Sequence, residues 1–148
     1  MFIEVIAPGR IKEGYIQAGA DDYLKRLRRY NRAEVLEVKV KARASAVDEG
    51  NQLLARVGAP LLVALDPAGR GMSSEGLASR IQGWMNGGVK GVSFLIGGPT
   101  GHSPAVRQRA DLLLSLSPMT FTHDMARLLL LEQLYRAFAI INGSQYHK

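Results

Sequence analysis

Phe94-Leu95-Ile96-Gly97-Gly98-Pro99-Thr100-Gly101 is an apolar run that stops abruptly at two glycines, a proline and a third glycine. Val92, Phe94, Leu95 and Ile96 favour β-structure, so the pattern predicts a buried strand and then a loop whose backbone turns tightly or approaches another group. Ser103-Pro104 supplies a helix cap followed by proline at the first helical position. A second apolar run, Leu112 to Leu116, leads through Ser117-Pro118-Met119-Thr120-Phe121 to Thr122, which opens a long helix. Two strand ends with bare loops, separated by one short helix, point to a ligand pocket at the carboxyl edge of a sheet.

Working outward, Phe2 to Ala7 reads as a strand ended by Pro8-Gly9, and Lys12 to Tyr30 has helical period. Ala33 to Val40 is a strand, and Ser45 to Asp48 resembles a capping box opening a helix to Val57. Leu61 to Leu65 is an apolar strand, Asp66 to Gly71 a loop, and Ser73 or Ser74 caps a helix to about Asn86. Strand and helix thus alternate along the chain, which predicts an α/β fold, a mostly parallel sheet with helices on both faces. The ends at Leu65-Asp66, Ile96-Gly97 and Leu116-Ser117 should share one edge. No repeat or linker interrupts residues 1–148, so one domain is expected.

No Walker-type phosphate loop occurs, and no G-x-G-x-x-G follows the first strand. The loop at Gly97 has another spacing, and no Lys or Arg adjoins it. It is either a simple turn or a seat for a nucleoside-like ligand without phosphates. The absence of cysteine excludes disulfides and thiolate metal sites, and His102, His123 and His147 lack metal-ligand spacing, so no metal is expected. Met1-Phe2-Ile3-Glu4 is unlike a secretory leader, and no apolar run nears the ~20 residues that span a bilayer, so a cytoplasmic protein without membrane contact is expected.

The net charge of +6 favours an anionic partner such as nucleic acid. Lys25, Arg28, Arg29 and Arg32 follow i, i+3, i+4, i+7 spacing. They form either a solvated helix face or a ridge for RNA phosphates. His123 to Ile141 is apolar around most of its circumference, so one face should cover the sheet. The other meets a second copy of the chain in a two-fold homodimer, or neighbours within a monomer. Arg127, Glu132, Gln133 and Arg136 interrupt that surface and must pair or line a site. His123 reads as structural. The closing Tyr146-His147-Lys148 is either a frayed end or a group able to stack on a base, exchange a proton and pair with phosphate.

Together these residues resemble the type-H SPOUT methyltransferases of large-subunit ribosomal RNA. The resemblance rests on Leu95 to Pro99 with Gly101, Leu114 to Ser117, Met119 to Phe121, His123 with Arg127, Glu132 to Ala137, and Tyr146 to Lys148. It extends over nearly the whole chain, although Val40 to Gly50 is shorter and poorer in lysine than the family pattern, and Pro118 stands at a variable position. The resemblance implies a C-terminal trefoil knot, a homodimer and S-adenosylmethionine as cofactor. It also implies methylation of N3 of a pseudouridine in helix 69 of 23S rRNA on the assembled 70S ribosome. Carried over by motif, Leu65, Gly97, Leu116, Ser117, Pro118, Met119, Thr120 and Phe121 contact the cofactor. His147 or Tyr146 would position the base or move its proton, and Lys148 and Arg127 would meet phosphate or oxyanion. Lys25, Arg28, Arg29 and Arg32 would then bind RNA. A non-catalytic RNA-binding factor and a SPOUT enzyme with another RNA target are the alternatives.

Overall fold

The computed structural model describes residues 1–147, His147 by its backbone alone. Among the described residues the strands are β1 (Phe2–Pro8), β2 (Ala33–Val38), β3 (Leu61–Gly71), β4 (Gly91–Leu95) and β5 (Leu112–Ser115). They form one parallel sheet in the order β2-β1-β4-β3-β5. The helices are α1 (Gly14–Leu27), α2 (Ala46–Leu54), α3 (Ser74–Asn86), α4 (Pro104–Arg109) and α5 (His123–Ile141), and a 3-10 turn follows at Gln145–His147.

Local chemistry sets where the helices begin. Ser45, Ser73, Ser103 and Thr122 each accept a bond from a first-turn amide, those of Asp48, Gly76, Val106 and Met125. Each bond satisfies a donor that has no partner inside the helix. Of the two serines that could cap α3, the structure uses Ser73.

Successive side chains in a strand point to opposite faces. Ile3, Val5, Ala7, Val63, Val92, Phe94, Ile96 and Leu114 therefore pack in one cluster with α1, α3 and α5. Ile6, Leu62, Ala64 and Leu95 pack in a second, beneath α2 and α4. Helix α5 lies between α1 and α3, which cover its two flanks. Its apolar girth is thus largely accounted for within one chain. Leu129 is half-buried and belongs to neither cluster.

Several expected boundaries shift. Helix α1 ends at Leu27, so Arg28, Arg29 and Arg32 lie in the following turn rather than along the helix. Helix α2 stops at Leu54 and β2 at Val38. The expected loop Asp66 to Gly71 is instead a bulge within β3: pairing with β5 breaks after Leu65 and resumes at Arg70 and Gly71. The strand returns because β5 runs on past Leu114 to Ser115, which pairs with Gly71.

One buried carboxylate holds the amino-side loops. Glu4 in β1 is 7% exposed and accepts from Ser93 Oγ at 2.5 Å and Gly58 N at 3.1 Å. Ser93 Oγ in turn accepts from Ala59 N at 3.2 Å. Replacing Glu4 by Ala strands a buried hydroxyl and an amide, and should lower the unfolding free energy by about 2 kcal/mol. Urea denaturation measures this, and an unchanged midpoint would show that the loop holds without Glu4.

Candidate functional site at the carboxyl edge of the sheet

In a parallel sheet every strand presents its carboxyl end to the same edge, and here β4, β3 and β5 are neighbours. Leu65 pairs with Leu114, and Ala64 with Leu95, so the turns after Leu65, Ile96 and Ser115 emerge side by side. The structure thereby brings together the three segments expected to hold the ligand.

Each turn is fixed by a different interaction. Gly98 N donates to Glu49 Oε1 of α2 at 2.8 Å, and Gly101 N to Gly98 O at 3.0 Å. A Cβ on Gly98 would collide with the Glu49 carboxylate, so a larger residue there would have to push that carboxylate aside. In the β3 bulge, Asp66 accepts from Ala68 N at 2.9 Å and forms an ion pair with Arg107 of α4. A Cβ on Gly69 would stand 2.6 Å from the Leu113 carbonyl oxygen. Ser115 Oγ lies 3.1 Å from Pro67 O and 3.0 Å from Ser117 O, joining the β3 and β5 turns. Beyond it Ser117 Oγ accepts from Met119 N at 2.9 Å. Leu116 and Ser117 are half-buried, Pro118 and Thr120 exposed, and Met119 and Phe121 present apolar surface at 75% and 37% exposure.

His102 lies among these turns and was not singled out by sequence as a pocket residue. Its Cε1 is 3.3 Å from where a Gly97 Cβ would be, and both ring nitrogens are buried without a hydrogen-bond partner. Burial pushes the imidazole below its ordinary 6.5, while Asp66, the Leu95 carbonyl, Glu49 and the Leu65 carbonyl pull it upward. The two carbonyls act on the ring as weak backbone hydrogen-bond acceptors, and neither reaches the distance and angle of a full hydrogen bond.

The other expected residues lie elsewhere. Arg127 is 1% exposed; its Nη1 donates to Glu37 Oε2 at 2.6 Å and its Nη2 to Gly9 O at 2.9 Å. It therefore anchors the β1–α1 loop, and Asp124 assists by accepting from Lys12 N at 3.2 Å. His123 Nε2 stands 3.5 Å from Asp124 Oδ1. Tyr146 packs edge-on against Tyr135 at 4.6 Å between ring centroids, beneath the Arg136 guanidinium. Its hydroxyl lies 3.1 Å from Tyr23 Oη and 3.2 Å from Glu132 Oε1, and Glu132 is also paired with Arg136. Burial, the Tyr23 hydroxyl and the Glu132 charge all push the Tyr146 phenol above its ordinary 10, so it stays protonated at neutral pH. Gln133 accepts from Ser74 Oγ at 2.6 Å. The side chain of His147 and the whole of Lys148 lie outside the described residues.

Lys25, Arg28, Arg29 and Arg32 are all exposed. Arg28 Nε donates to Ala33 O at 2.8 Å, and the Arg32 guanidinium lies 5.0 Å from the Phe2 ring centroid. Asp22 is paired with Arg26 at 3.0 Å, which leaves Lys25 and Arg29 without a neutralising partner among the described residues. Two surface cavities lie away from the three strand ends, one beside Arg10, Ile11, Lys12 and Gln17, the other at the amino edge beside Pro60, Lys90 and Asp111. The candidate site is defined by converging backbone. Among the described residues no cluster of three metal-ligating side chains occurs, and no helix is long and apolar enough to cross a membrane.

The fold has counterparts of known structure. A candidate methylase-family protein of Haemophilus influenzae aligns over 99% of this chain and 70% of its own, with a TM-score of 0.59 at 13% identity. A candidate methyltransferase of Legionella pneumophila, solved with the bound cofactor SAM, aligns over 91% of this chain and 66% of its own, with a TM-score of 0.52 at 13% identity. A family model described as "Predicted SPOUT methyltransferase" matches residues 1–147. The ribosomal RNA large subunit methyltransferase H of Desulfotalea psychrophila is 50% identical over 98% of both chains, and that of Halothermothrix orenii 45% identical over the full length of both. The chain belongs to the SPOUT methyltransferases, within the family of the ribosomal RNA large subunit methyltransferase H.

A histidine held neutral by folding binds its proton more readily in the unfolded chain. Its contribution to stability is whole above the ordinary 6.5 and is lost as pH falls below it, through the depressed folded value. Urea midpoints taken from pH 7.5 to 5 should fall more steeply for the native chain than for His102→Leu. Parallel profiles would mean that His102 titrates alike in both states.

Proposed function

We propose that this chain methylates large-subunit ribosomal RNA with S-adenosylmethionine as donor, at N3 of a pseudouridine in helix 69 of 23S rRNA on the assembled 70S ribosome. The observation that carries the cofactor assignment is the convergence of the Leu65, Gly97 and Ser117 turns, with the unpartnered ring nitrogens of His102 buried beside the first two. The RNA assignment rests on the names of the full-length relatives. Such a site fits an adenosyl group. Gly97 lets the His102 ring lie against its backbone, and Arg107, a cation that could meet a phosphate, is already paired with Asp66. Leu65, Gly97, Leu116, Ser117, Pro118, Met119, Thr120 and Phe121 would hold it, with Met119 and Phe121 supplying exposed apolar contact. A trefoil knot at these turns belongs to the same reading.

When bound, the sulfonium supplies an electrophilic methyl group. The protein's part is to hold the acceptor in line and to manage one proton. N3 of pseudouridine is an imide nitrogen, and its deprotonation places charge on the flanking carbonyl oxygens. A donor aimed there stabilises that charge. Tyr146, kept protonated by its surroundings, suits positioning rather than proton abstraction. That leaves His147 as the proton acceptor and Lys148 as the phosphate or oxyanion partner. Arg127 enters as an anchor for Gly9, since both its Nη atoms are already bonded.

The position of the tail supports a homodimer. Tyr146 docks on Glu132, nine residues beyond His123 at the carboxyl-edge end of α5, about 13 Å along the helix axis. A tail docked there serves a partner's pocket more readily than its own, and half-buried Leu129 offers apolar surface on the same helix. Deleting Tyr146 to Lys148 should abolish methylation, read by mass spectrometry of rRNA, while calorimetric binding of S-adenosylmethionine persists. Loss of both together would undo this division of labour.

Lys25 and Arg29 are the best placed of the four basic residues to meet rRNA phosphates, because neither has a partner among the described residues. Converting both to Ala should weaken ribosome binding and reduce the slope of log affinity against log salt by about 1.5. An unaltered slope would leave them as solvated surface.

A further inference from the structure

We propose that His102 is a hydrogen-bonding residue of the cofactor pocket, its two ring nitrogens held for the nucleoside portion of the cofactor. This rests on the reading of the strand ends as the S-adenosylmethionine site.

The argument begins with pairing. Buried polar atoms almost always have partners, and leaving one unpaired costs about 1–3 kcal/mol. Both nitrogens of His102 are buried and unpaired. The polar groups around the ring are already engaged: Asp66 with Arg107 and Ala68 N, Glu49 with Gly98 N. The Leu65 and Leu95 carbonyls stand where β3 enters its bulge and where β4 ends, and the ring rests against the bare backbone of Gly97. His102 is thus the unsatisfied polar group where the expected cofactor contacts of two strands meet.

A neutral imidazole offers one donor and one acceptor. A purine edge and a ribose diol each present both functions, whereas the methionine end is charged. The nucleoside is therefore the complementary part. Pro99, Thr100 and Gly101, in the turn that leads into His102, are exposed, and a Gly101 N–Gly98 O bond closes that turn. Displacing that turn admits the ligand to the ring without disturbing the sheet.

Calorimetric titration with S-adenosylhomocysteine tests the assignment on the native chain, His102→Leu and His102→Asn. The Leu variant should bind roughly 10- to 100-fold more weakly, as expected for losing one or two hydrogen bonds. The Asn variant, which keeps a donor and an acceptor, should recover part of that loss. Without ligand, His102→Leu should melt at the same or a higher temperature at neutral pH, because an unpaired polar group has been replaced by an apolar one. Nitrogen NMR of the His102 ring in the native chain should show a shift on adding S-adenosylhomocysteine, a readout that does not depend on any variant folding. Equal affinity of the native and Leu chains, or a ring resonance unmoved at saturation, overturns the proposal and leaves the pocket in place. If the native chain itself takes up no S-adenosylhomocysteine, the pocket reading fails, and this assignment fails with it.

Discussion

The interrupted ladder between β3 and β5 is the constraint on which the site depends. Pairing runs to Leu65 with Leu114, skips four residues, and resumes with Arg70 and Gly71 beside Leu114 and Ser115. The sheet is thus continuous on both sides of a stretch that has been expelled from it. Once expelled, Asp66 is free to reach Arg107 on α4, and Pro67 presents its carbonyl to Ser115. A bulge of this kind re-aims backbone without ending the strand. Because β4 is the other neighbour of β3, the loop at Gly97 opens directly beside it. Shifting the β3–β5 register would send alternate side chains to the wrong face and disperse the turns at the same time.

Charged side chains hold the surrounding loops from beneath. Glu4 secures Gly58 and Ser93 at the amino side, Glu49 secures Gly98, and Arg127 secures Gly9. Each is nearly inaccessible, and each joins parts of the chain far apart in sequence. Buried ionic groups are poor sources of net stability, because desolvation offsets most of the attraction. Their value here is geometric: a carboxylate with two acceptor oxygens, or a guanidinium fork, fixes a loop amide or carbonyl in a way that an apolar contact does not.

The sequence made the elements legible where local chemistry sets them. Ser103-Pro104 and Thr122 mark the starts of α4 and α5, and Asn86 the end of α3, because caps and breakers act within a few residues. Apolar strand cores and their bare ends were likewise readable, and so was the shared edge, since alternating strands and helices imply a parallel sheet. Strand order was not, because it depends on which crossover packs best. The return of β3 after its bulge was hidden because Pro67 and Gly69 look like the end of a strand. Arg127 stood out by its type, yet only packing shows that it is bonded to Glu37 of β2 and to Gly9 in the loop after β1. His102 drew notice only for failing to form a metal pattern. The signal that it has no partner exists only in three dimensions.

Helix α5 packs against both α1 and α3, and it follows all five strands in chain order. Without it, Ile3, Val5, Val63 and Phe94 are covered only by α1 and α3, and the cluster they share with Leu130, Leu134 and Phe138 stays open. The enclosed core forms only when residues more than a hundred positions apart come together, so closure is a late, cooperative event rather than stepwise growth behind the translating ribosome.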